Sequence, residues 1–580
     1  MPTTAAPSEP RAALQGEMEK PVRTEIERAI GAAKGAPGSR VDARRRAREA
    51  AQAAIAVLRS EGYYDYQVEP AIGEGDTPAA IVRVTAGPRT LLGPTTVVWN
   101  GAPPDAASTT AAVKTLDLAP GAPARAGAVI AAEGRVVAVL RERGYADAAI
   151  RPRRVVVDHA GHLMQPTLEF AAGPLARLDG VKVVGRTRLH RRWVTRLKAW
   201  RTNDVYSPAR VAKLDQRLRD TGVFRSVSVS LAPADQAVSG ERPVLVDVTD
   251  RAPHTIELGG GYSTSEGAGI EARWLTYNRL GLADTLTLTG RLAQIQQKLD
   301  AELDVPDWIG LDQVVKVGAD IFGDDTPAYD DAGLGFRADV VHNYTRTTST
   351  TLGVSAEAVD TSEKEHINPN GLGIGANLKL AVFSTTGAFT LDKSNDPLNP
   401  TRGWRLTAEA DPTYVAGDRN LPFLKLVAQA TAYQGFGIDD STVLAGRVRM
   451  GSILGGGDVL QIPDDLRFYA GGGGSVRGFN YQGVGPELAN GEPLGGVSLF
   501  ESSLEVRQHV TGPWGLVGFV DAGSVGPTYA PDFNLLQVGA GLGVRYNLGF
   551  GPLRFDIATP VTRRKGDPWG QVYLSIGQSF

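Results

Sequence analysis

The chain has 580 residues and a formal net charge of −3 at pH 7. It is long enough for two or more domains, and its bulk charge gives no reason to expect nucleic-acid binding. Zero cysteines exclude a disulfide framework and any thiolate metal site. The 69 glycines are about twice the average usage, and no stretch reaches the roughly 18 consecutive apolar residues of a transmembrane helix. Any part of the chain that crosses a membrane therefore has to be a β-barrel.

The first residues, MPTTAAPSEPRAALQG, lack the charged and apolar regions of a signal peptide. An exported barrel needs such a peptide, so we expect that the sequence begins inside a longer precursor.

Residues up to about 250 contain a repeat of about 80 residues. The segment VLRSEGYYD around Gly62 recurs as VLRERGYAD around Gly144, and RLRDTGVF around Gly222 is a looser copy. In each copy an amphipathic helix ends in basic residues, glycine follows at the C-terminal end, and an extended run comes next. The pattern predicts three small α+β modules, of which the first lacks its opening strand.

The boundaries of these modules follow from a strand that ends before a proline. Pro88, Pro174 and Pro253 follow the extended runs IVRVTAG, TLEFAAG and VDVTDRA. We therefore predict modules at residues 1–88, 89–174 and 175–252. Ser207 and Pro208 have the types expected at the N-cap and first position of the second helix of the third module.

A basic segment opens the third module. RTRLHRRWVTRLKAWR, residues 186–201, contains seven Lys or Arg and no acid, with an apolar stripe at helical spacing. We interpret it as the first helix of the module, with the stripe buried and the charges in solvent. The alternative is contact with anionic lipid head groups, for which the candidate side chains are Arg191, Arg192, Arg196 and Lys198.

Residues after about 253 change to glycine-rich, alternating patterns. Leu286, Leu288 and Leu292 share one strand face, and Leu553, Phe555 and Ile557 flank Arg554 and Asp556 farther on. A soluble sandwich also alternates, so periodicity alone leaves both folds open. The 328 residues of 253–580, at roughly 20 per strand with its connection, predict about 16 antiparallel strands of a transmembrane barrel.

Two features near the C-terminus are more specific. The chain ends in GQVYLSIGQSF, an alternating strand with a terminal Phe580 that resembles the assembly signal of outer-membrane barrels. RFYAGGGGSVRGFNYQG carries the tetrapeptide Val476-Arg477-Gly478-Phe479, and Gly495-Gly496, Glu501 and the strand FVDAGSV with Phe519, Asp521 and Gly523 follow it.

In this order, these motifs resemble the signature of the Omp85 superfamily, and the upstream repeats resemble its POTRA domains. The resemblance covers nearly the whole chain and implies α+β POTRA repeats at 1–88, 89–174 and 175–252, followed by a barrel at 253–580. Three repeats and the EGYYD segment resemble TamA-type members, the outer-membrane subunits of the translocation and assembly module. An N-terminal truncation would explain an incomplete first repeat, so the count does not exclude further lost modules.

The resemblance also implies roles for residues. The loop with Val476, Arg477, Gly478 and Phe479 is expected inside the barrel, where Arg477 pairs with acids on the inner wall. By motif, Asp521 is the first acid and Glu501 the second, and forked guanidinium donors suit two carboxylates. The alternative is that these charges merely line the lumen. Even as a loop anchor the pair would be structural, since it positions a loop and catalyses nothing.

Enzyme motifs are missing from the sequence. The glycine run is not followed by Gly-Lys-Ser/Thr, so it is not a phosphate-binding loop. Ser475 is not in G-x-S-x-G, because Arg477 takes the last position. The seven histidines form no H-E-x-x-H pair. We predict no enzyme activity, no cofactor and no metal.

The predicted function is that of an outer-membrane factor that inserts or secretes β-barrel clients such as autotransporters. We expect clients at a seam between the first strand, with Gly259, Gly260 and Gly261, and the last, with Gly577 and Phe580, because a glycine-rich strand specifies register poorly. The expected partners are outer-membrane lipids, client proteins and an inner-membrane TamB-like protein that docks on the periplasmic POTRA domains, and no nucleic acid. The alternatives are a passive channel or receptor, a lipid-transport partner of a TamB-like protein, and a soluble adhesin.

Overall fold

The N-terminal part of the protein repeats one β-α-α-β-β unit. A computed structural model describes residues 9–33, 35–74, 78–363, 377–548 and 551–576. The helices of the repeats are α1 Lys20–Ile30, α2 Arg40–Ser60, α3 Ala106–Lys114, α4 Ala126–Glu142, α5 Arg191–Arg196 and α6 Pro208–Asp220. The strands are β1 Glu9–Pro10, β2 Ala13–Gln15, β3 Ala32–Ala33, β4 Gln67–Ile72, β5 Ala80–Thr85, β6 Leu91–Leu92, β7 Thr96–Trp99, β8 Ala149–Ile150, β9 Arg154–Asp158, β10 Leu163–Ala171, β11 Arg177–Val183, β12 Phe224–Leu231 and β13 Glu241–Asp250.

All three sheets place the last strand of the repeat in the middle. The orders are β2-β5-β4 in the first, β7-β10-β9 within the second and β11-β13-β12 in the third. The opening strand pairs in parallel with the last strand each time. The expectation that the first repeat lacks its opening strand is therefore wrong. Strand β2 has three residues, too few to show alternation in the sequence.

Glycine ends the second helix of each repeat. Gly62, Gly144 and Gly222 have φ angles of +92°, +101° and +69°, a region that other residues adopt at a cost. Helix α6 starts at Pro208, as predicted. Helix α5 covers only Arg191–Arg196, which is shorter than the basic segment. The glycines that end these helices thus mark the three repeats in the sequence. The domain boundaries remain a prediction.

The same glycines hold consecutive repeats together. The carbonyl of Gly62 accepts a hydrogen bond from the N–H of Thr90 at 2.8 Å, and that of Gly144 accepts one from Ala176 at 2.9 Å. The Asp three residues later also reaches into the next repeat. Asp65 binds His159 at 2.5 Å, and Asp147 binds Arg242 at 2.7 Å. The recurring G-Y-x-D segment is therefore a junction between repeats.

The C-terminal part is a closed antiparallel barrel of 16 strands within the described residues. Its strands are β14 His254–Ser263, β15 Gly267–Tyr277, β16 Thr285–Ala293, β17 Gln296–Pro306, β18 Gln313–Asp325, β19 Tyr329–Thr345, β20 Thr348–Glu363, β21 Asn377–Asp392, β22 Gly403–Gly417, β23 Leu421–Phe436, β24 Thr442–Gly455, β25 Ser498–Thr511, β26 Trp514–Gly526, β27 Gln537–Asn547, β28 Pro552–Pro560 and β29 Gln571–Ile576. The predicted fold class and strand number are confirmed.

The barrel exposes its apolar face and buries its charged face. On β28, Leu553, Phe555 and Ile557 are exposed while Arg554 and Asp556 are buried. A soluble sandwich has the opposite arrangement, whereas a membrane barrel presents apolar side chains to lipid. No helix among the described residues is long and apolar enough to cross a membrane.

Candidate functional site: the lumen loop and the barrel seam

A long connection between β24 and β25 fills part of the barrel. Residues 456–497 lie between two neighbouring strands, and their apolar side chains share a buried core with inner-wall residues of the barrel. Ile462, Val476 and Phe479 of the loop have no exposed surface, and the wall contributes Val415, Leu499 and Val525. The loop therefore folds into the lumen, where apolar packing holds it against the wall.

Arg477 is the central polar contact of this loop. Its Nε lies 2.7 Å from Oδ2 of Asp521 and its Nη2 lies 2.9 Å from Oδ1. Its Nη1 lies 2.8 Å from Glu505 and 3.3 Å from Asp556. Only 2% of Arg477 is exposed, so the guanidinium is stabilised by three carboxylates rather than by water.

Further arginines balance these acids. Arg507 lies 2.9 Å from Glu505, Arg545 pairs with Asp556, and Arg554 lies 3.4 Å from the same carboxylate. The cluster thus joins four arginines to Asp521, Glu505 and Asp556 on β25, β26 and β28. Of these three acids, the sequence motif indicates Asp521 alone. Glu505 and Asp556 were not predicted as partners, although both lie on the charged face of an alternating strand.

Glu501 has a different place from the one expected. It accepts a hydrogen bond from Ser475, and its Oε2 lies 3.7 Å from Arg447 and from Arg449. The carboxylates that the structure brings to Arg477 are those of Asp521, Glu505 and Asp556, so the expectation that Glu501 is the second acceptor is wrong. Glu501 precedes Glu505 by four residues on β25, and the strand carries it beyond the guanidinium.

The motif glycines make room for close contacts. Gly478 has φ +101°, and a Cβ atom there would lie 2.8 Å from the carbonyl carbon of Thr559. A Cβ atom at Gly523 would lie 2.5 Å from Val476 Cγ2. Phe519 lies beneath the guanidinium of Arg477, with 3.4 Å between its ring centroid and Cζ. The two motifs therefore fit together as loop and wall.

The same loop binds both sides of the barrel seam. The N–H of Gly473 donates to Glu266 at 2.7 Å, in the turn between β14 and β15. The N–H of Gly478 donates to the hydroxyl of Tyr573 on β29 at 3.0 Å. Gln571 of β29 donates to Asn480 at 2.8 Å. One loop thus connects the first and the last strand of the barrel through the lumen.

The described part of the seam has few paired residues. Among the described residues, β14 and β29 are joined by two register pairs, Tyr262 with Leu574 and Ser263 with Tyr573, whereas β28 and β29 form six pairs. A cavity of about 570 Å³ lies at this seam, lined by residues of both strands, including Gly259, Gly260 and Gly261. Gly577 and Phe580, the other predicted seam residues, lie outside the described residues.

The basic segment contacts turns of the barrel. Its apolar stripe, Leu189, Trp193, Leu197 and Trp200, is buried, as interpreted from the sequence. Arg191, Arg192 and Arg196 are exposed, and Lys198 is half-buried. Arg196 donates to the carbonyls of Asp307 and Trp308, and the indole N–H of Trp193 donates to Pro306 at 3.2 Å.

Comparisons with known proteins agree with this geometry. The model of the Omp85 superfamily domain matches residues 278–580. The outer membrane protein assembly factor BamA of Neorickettsia risticii is 23% identical over 90% of this chain and 71% of its own length. That of Nitratidesulfovibrio vulgaris is 25% identical over 75% of this chain, which spans 55% of that relative.

A solved structure shares the fold. BamA from Haemophilus ducreyi lacking POTRA domains 1–3 superposes with a TM-score of 0.70 at 18% identity, covering 84% of this chain and all of that one. The TamA-type assignment within the superfamily stays a prediction. Since the superfamily model covers more than half of the sequence, and the motif loop lies against its motif strand inside a 16-stranded barrel, the chain belongs to the Omp85 superfamily.

Proposed function

We propose that this protein is an outer-membrane factor that inserts or secretes β-barrel clients, with its N-terminal repeats in the periplasm as POTRA domains. The single observation that carries the proposal is the seam between β14 and β29, where the described residues form two register pairs. A strand edge with few partners accepts another strand by backbone hydrogen bonding. The names of the relatives, which are assembly factors, support the same function.

The lumen loop supports a seam that opens under control. Gly473 and Gly478 hold Glu266 on one side of the seam and Tyr573 on the other. Separation of the strands requires that the loop release at least one of them. A passive channel has less support, because the loop occupies lumen space that an open channel needs.

A disulfide across the seam tests the proposal. A Cβ atom at Gly261 would lie 3.6 Å from Cβ of Ser575, which is the separation found in disulfides. The variant Gly261→Cys/Ser575→Cys, in a chain with no native cysteine, should stop insertion of a client barrel into proteoliposomes when oxidised. Reduction should restore it.

The matched control is a crosslink within the barrel wall. Gly269 and Ala293 are register partners on β15 and β16, so Gly269→Cys/Ala293→Cys joins two strands away from the seam. The proposal is wrong if client insertion survives a crosslink at 261–575 that is verified by mass spectrometry, or if both crosslinks inhibit equally.

The repeats are the proposed binding surface for extended client segments and for a TamB-like inner-membrane partner. Strand β9 pairs with β10 on one side, and Val155 and Val156 on it are 39% and 48% exposed. An exposed strand edge of this kind suits addition of a further strand. A photo-crosslinking residue at Val156 should capture client or partner segments, and one at the buried Val136 should not.

A further inference from the structure

Helix α5 sits on the barrel turns through main-chain contacts. The N–H of His190 donates to the carbonyl of Gly281 at 2.8 Å, and Arg188 donates to the carbonyl of Tyr277 at 3.1 Å. Trp193 and Arg196 bind the turn after β17, as described above. These contacts fix the helix at the end of the barrel where β15 and β17 end and β16 and β18 begin.

The carboxylates around this helix are already bound. Asp284 accepts from the N–H groups of Arg279 and Leu280 at 3.0 and 2.9 Å, and Asp250 accepts from Thr187 at 2.7 Å. Asp307 accepts a hydrogen bond from the N–H of Asp312. The carboxylate of Asp312 in turn accepts two hydrogen bonds from the guanidinium of Arg217. The acids of this region therefore stabilise turns and a buried arginine.

Arg191 and Arg192 are exposed. The carbonyl of Arg191 accepts from the hydroxyl of Thr195, but within the described part of the chain no ion pair or hydrogen bond of either guanidinium group is found. With His190 and Arg196 they line a cavity of about 350 Å³, whose apolar wall includes Leu282. Two guanidinium groups that no carboxylate among the described residues pairs with therefore face a recess at the rim of the barrel.

Exposed apolar side chains lie in the two turns that hold this helix. Trp308 is 52% exposed and Ile309 is 66% exposed, in the turn that Arg196 holds, and Leu280 is 49% exposed in the turn that His190 holds. Exposed Trp at the end of a membrane barrel lies at the level of the lipid head groups. Trp308, Ile309 and Leu280, which we call the apolar ledge, thus lie in the same turns that contact the helix of Arg191 and Arg192.

We propose that the recess of Arg191 and Arg192 binds the phosphate of an anionic phospholipid, with its acyl chains against Trp308, Ile309 and Leu280. Guanidinium groups bind phosphate by forked hydrogen bonds, and basic side chains near a membrane surface attract anionic lipid. The inference rests on the membrane placement proposed above but not on strand insertion, and it makes helix α5 a lipid anchor.

Native mass spectrometry of the full chain in detergent tests this. Palmitoyl-oleoyl phosphatidylglycerol should bind the unmodified protein more tightly than phosphatidylcholine with the same chains. The variant Arg191→Gln/Arg192→Gln should lose affinity for phosphatidylglycerol by about fivefold for each guanidinium removed. Arg44→Gln/Arg48→Gln, on the exposed face of α2, removes the same charge elsewhere and should not change it.

Two further measurements separate the possible ligands. Trp308→Ala should weaken binding of the lipid and leave the weaker binding of inorganic phosphate unchanged, which identifies the ledge as an acyl-chain contact.

The proposal is overturned if R191Q/R192Q binds phosphatidylglycerol like the unmodified protein, if R44Q/R48Q loses as much, or if inorganic phosphate displaces the lipid at equal concentration. Heat-modifiable gel mobility of each variant verifies that the barrel is folded. Client insertion is not part of the assay, so its failure leaves the seam proposal untouched.

Discussion

Arg477 and Asp521 form a two-pronged contact inside the barrel, with 2.7 Å between Nε and Oδ2 and 2.9 Å between Nη2 and Oδ1. Ser503 donates to the same Oδ1 at 2.5 Å. The carboxylate thus accepts from several donors at the edge of the guanidinium, and the ring of Phe519 covers its face. The contact fixes the loop tip against β25 and β26.

Replacing Arg477 by Ala should lower the free energy of unfolding of the barrel by about 3–5 kcal/mol, because three buried carboxylates lose a shared cation. Urea unfolding in lipid vesicles, followed by tryptophan fluorescence, measures this. Arg449→Ala is the matched control, since Arg449 is 39% exposed in its side chain and its nearest carboxylate contact is 3.7 Å long. Equal losses for the two variants would contradict the central role of Arg477.

Gly478→Ala should destabilise the seated loop, because it combines a φ of +101° with a Cβ atom 2.8 Å from backbone of β28. Gly474→Ala is its control, since a Cβ atom there meets nothing within 4 Å. Limited proteolysis of the folded barrel should cut the loop faster in G478A and at the unmodified rate in G474A. Equal cleavage rates for G478A and G474A would contradict the role of Gly478 in seating the loop.

Tyr573→Phe removes a single oxygen that accepts from the N–H of Gly478. A buried N–H without an acceptor costs about 1–3 kcal/mol, so the loop should release the seam more often. The readout is maleimide labelling of a single Cys at Ser575, which we expect to be faster by several fold in Y573F. Tyr414→Phe, on the exposed face of β22, should leave the labelling rate unchanged, and faster labelling there would point to a general loosening.

The lowered pKa of the Asp105 carboxyl predicts that helix α3 loses stability at acid pH. Hydrogen bonds from the hydroxyl and the backbone N–H of Ser108, and from the hydroxyl of Tyr145, lower the pKa of the Asp105 carboxyl to about 2. Its pKa in an unfolded chain is about 3.9. A lowered pKa stabilises the fold at pH values above about 4, and this contribution is lost as the pH falls from about 4 to about 2.

Hydrogen exchange of Ala106–Lys114, corrected for intrinsic rates, should show the loss of protection over that range. Asp105→Asn keeps the N-cap geometry without a titrating group, so its protection should be lower at pH 7 and should change less between pH 4 and pH 2. A variant that follows the unmodified protein through this range would show that another group is responsible.

The sequence predicts the barrel because its physics is local. Leu553, Phe555 and Ile557 alternate with charged residues, which predicts strands with one apolar and one polar face. Dividing the length of residues 253–580 by about 20 residues for each strand and its connection then predicts the strand number. The three repeats are likewise visible, because Gly62 and Gly144 end helices where only glycine fits easily. The opening strand β2 is missed because three residues carry no periodicity.

Long-range pairing is harder to predict. Asp521 is found through a motif, whereas Glu505 and Asp556 reach Arg477 only because β25 and β28 meet the loop in three dimensions. Glu501 has the right type and the right strand, but the pairing of β25 places it next to Ser475. The sequence also does not predict that the G-Y-x-D segment joins consecutive repeats, because His159 and Arg242 lie 94 and 95 residues from the Asp that each binds.

The lumen loop contacts both Glu266 and Tyr573, so release of the loop and separation of β14 from β29 are coupled equilibria. If release of the loop lowers the free energy of parting β14 from β29 by some amount, then parting the strands must lower the free energy of loop release by the same amount. On the function proposed above, an incoming strand that captured the freed edge of β14 would therefore be an effector of the loop, although it would never enter the lumen. A ligand that immobilises the loop from inside would, by the same linkage, weaken the affinity of the edge for any strand outside.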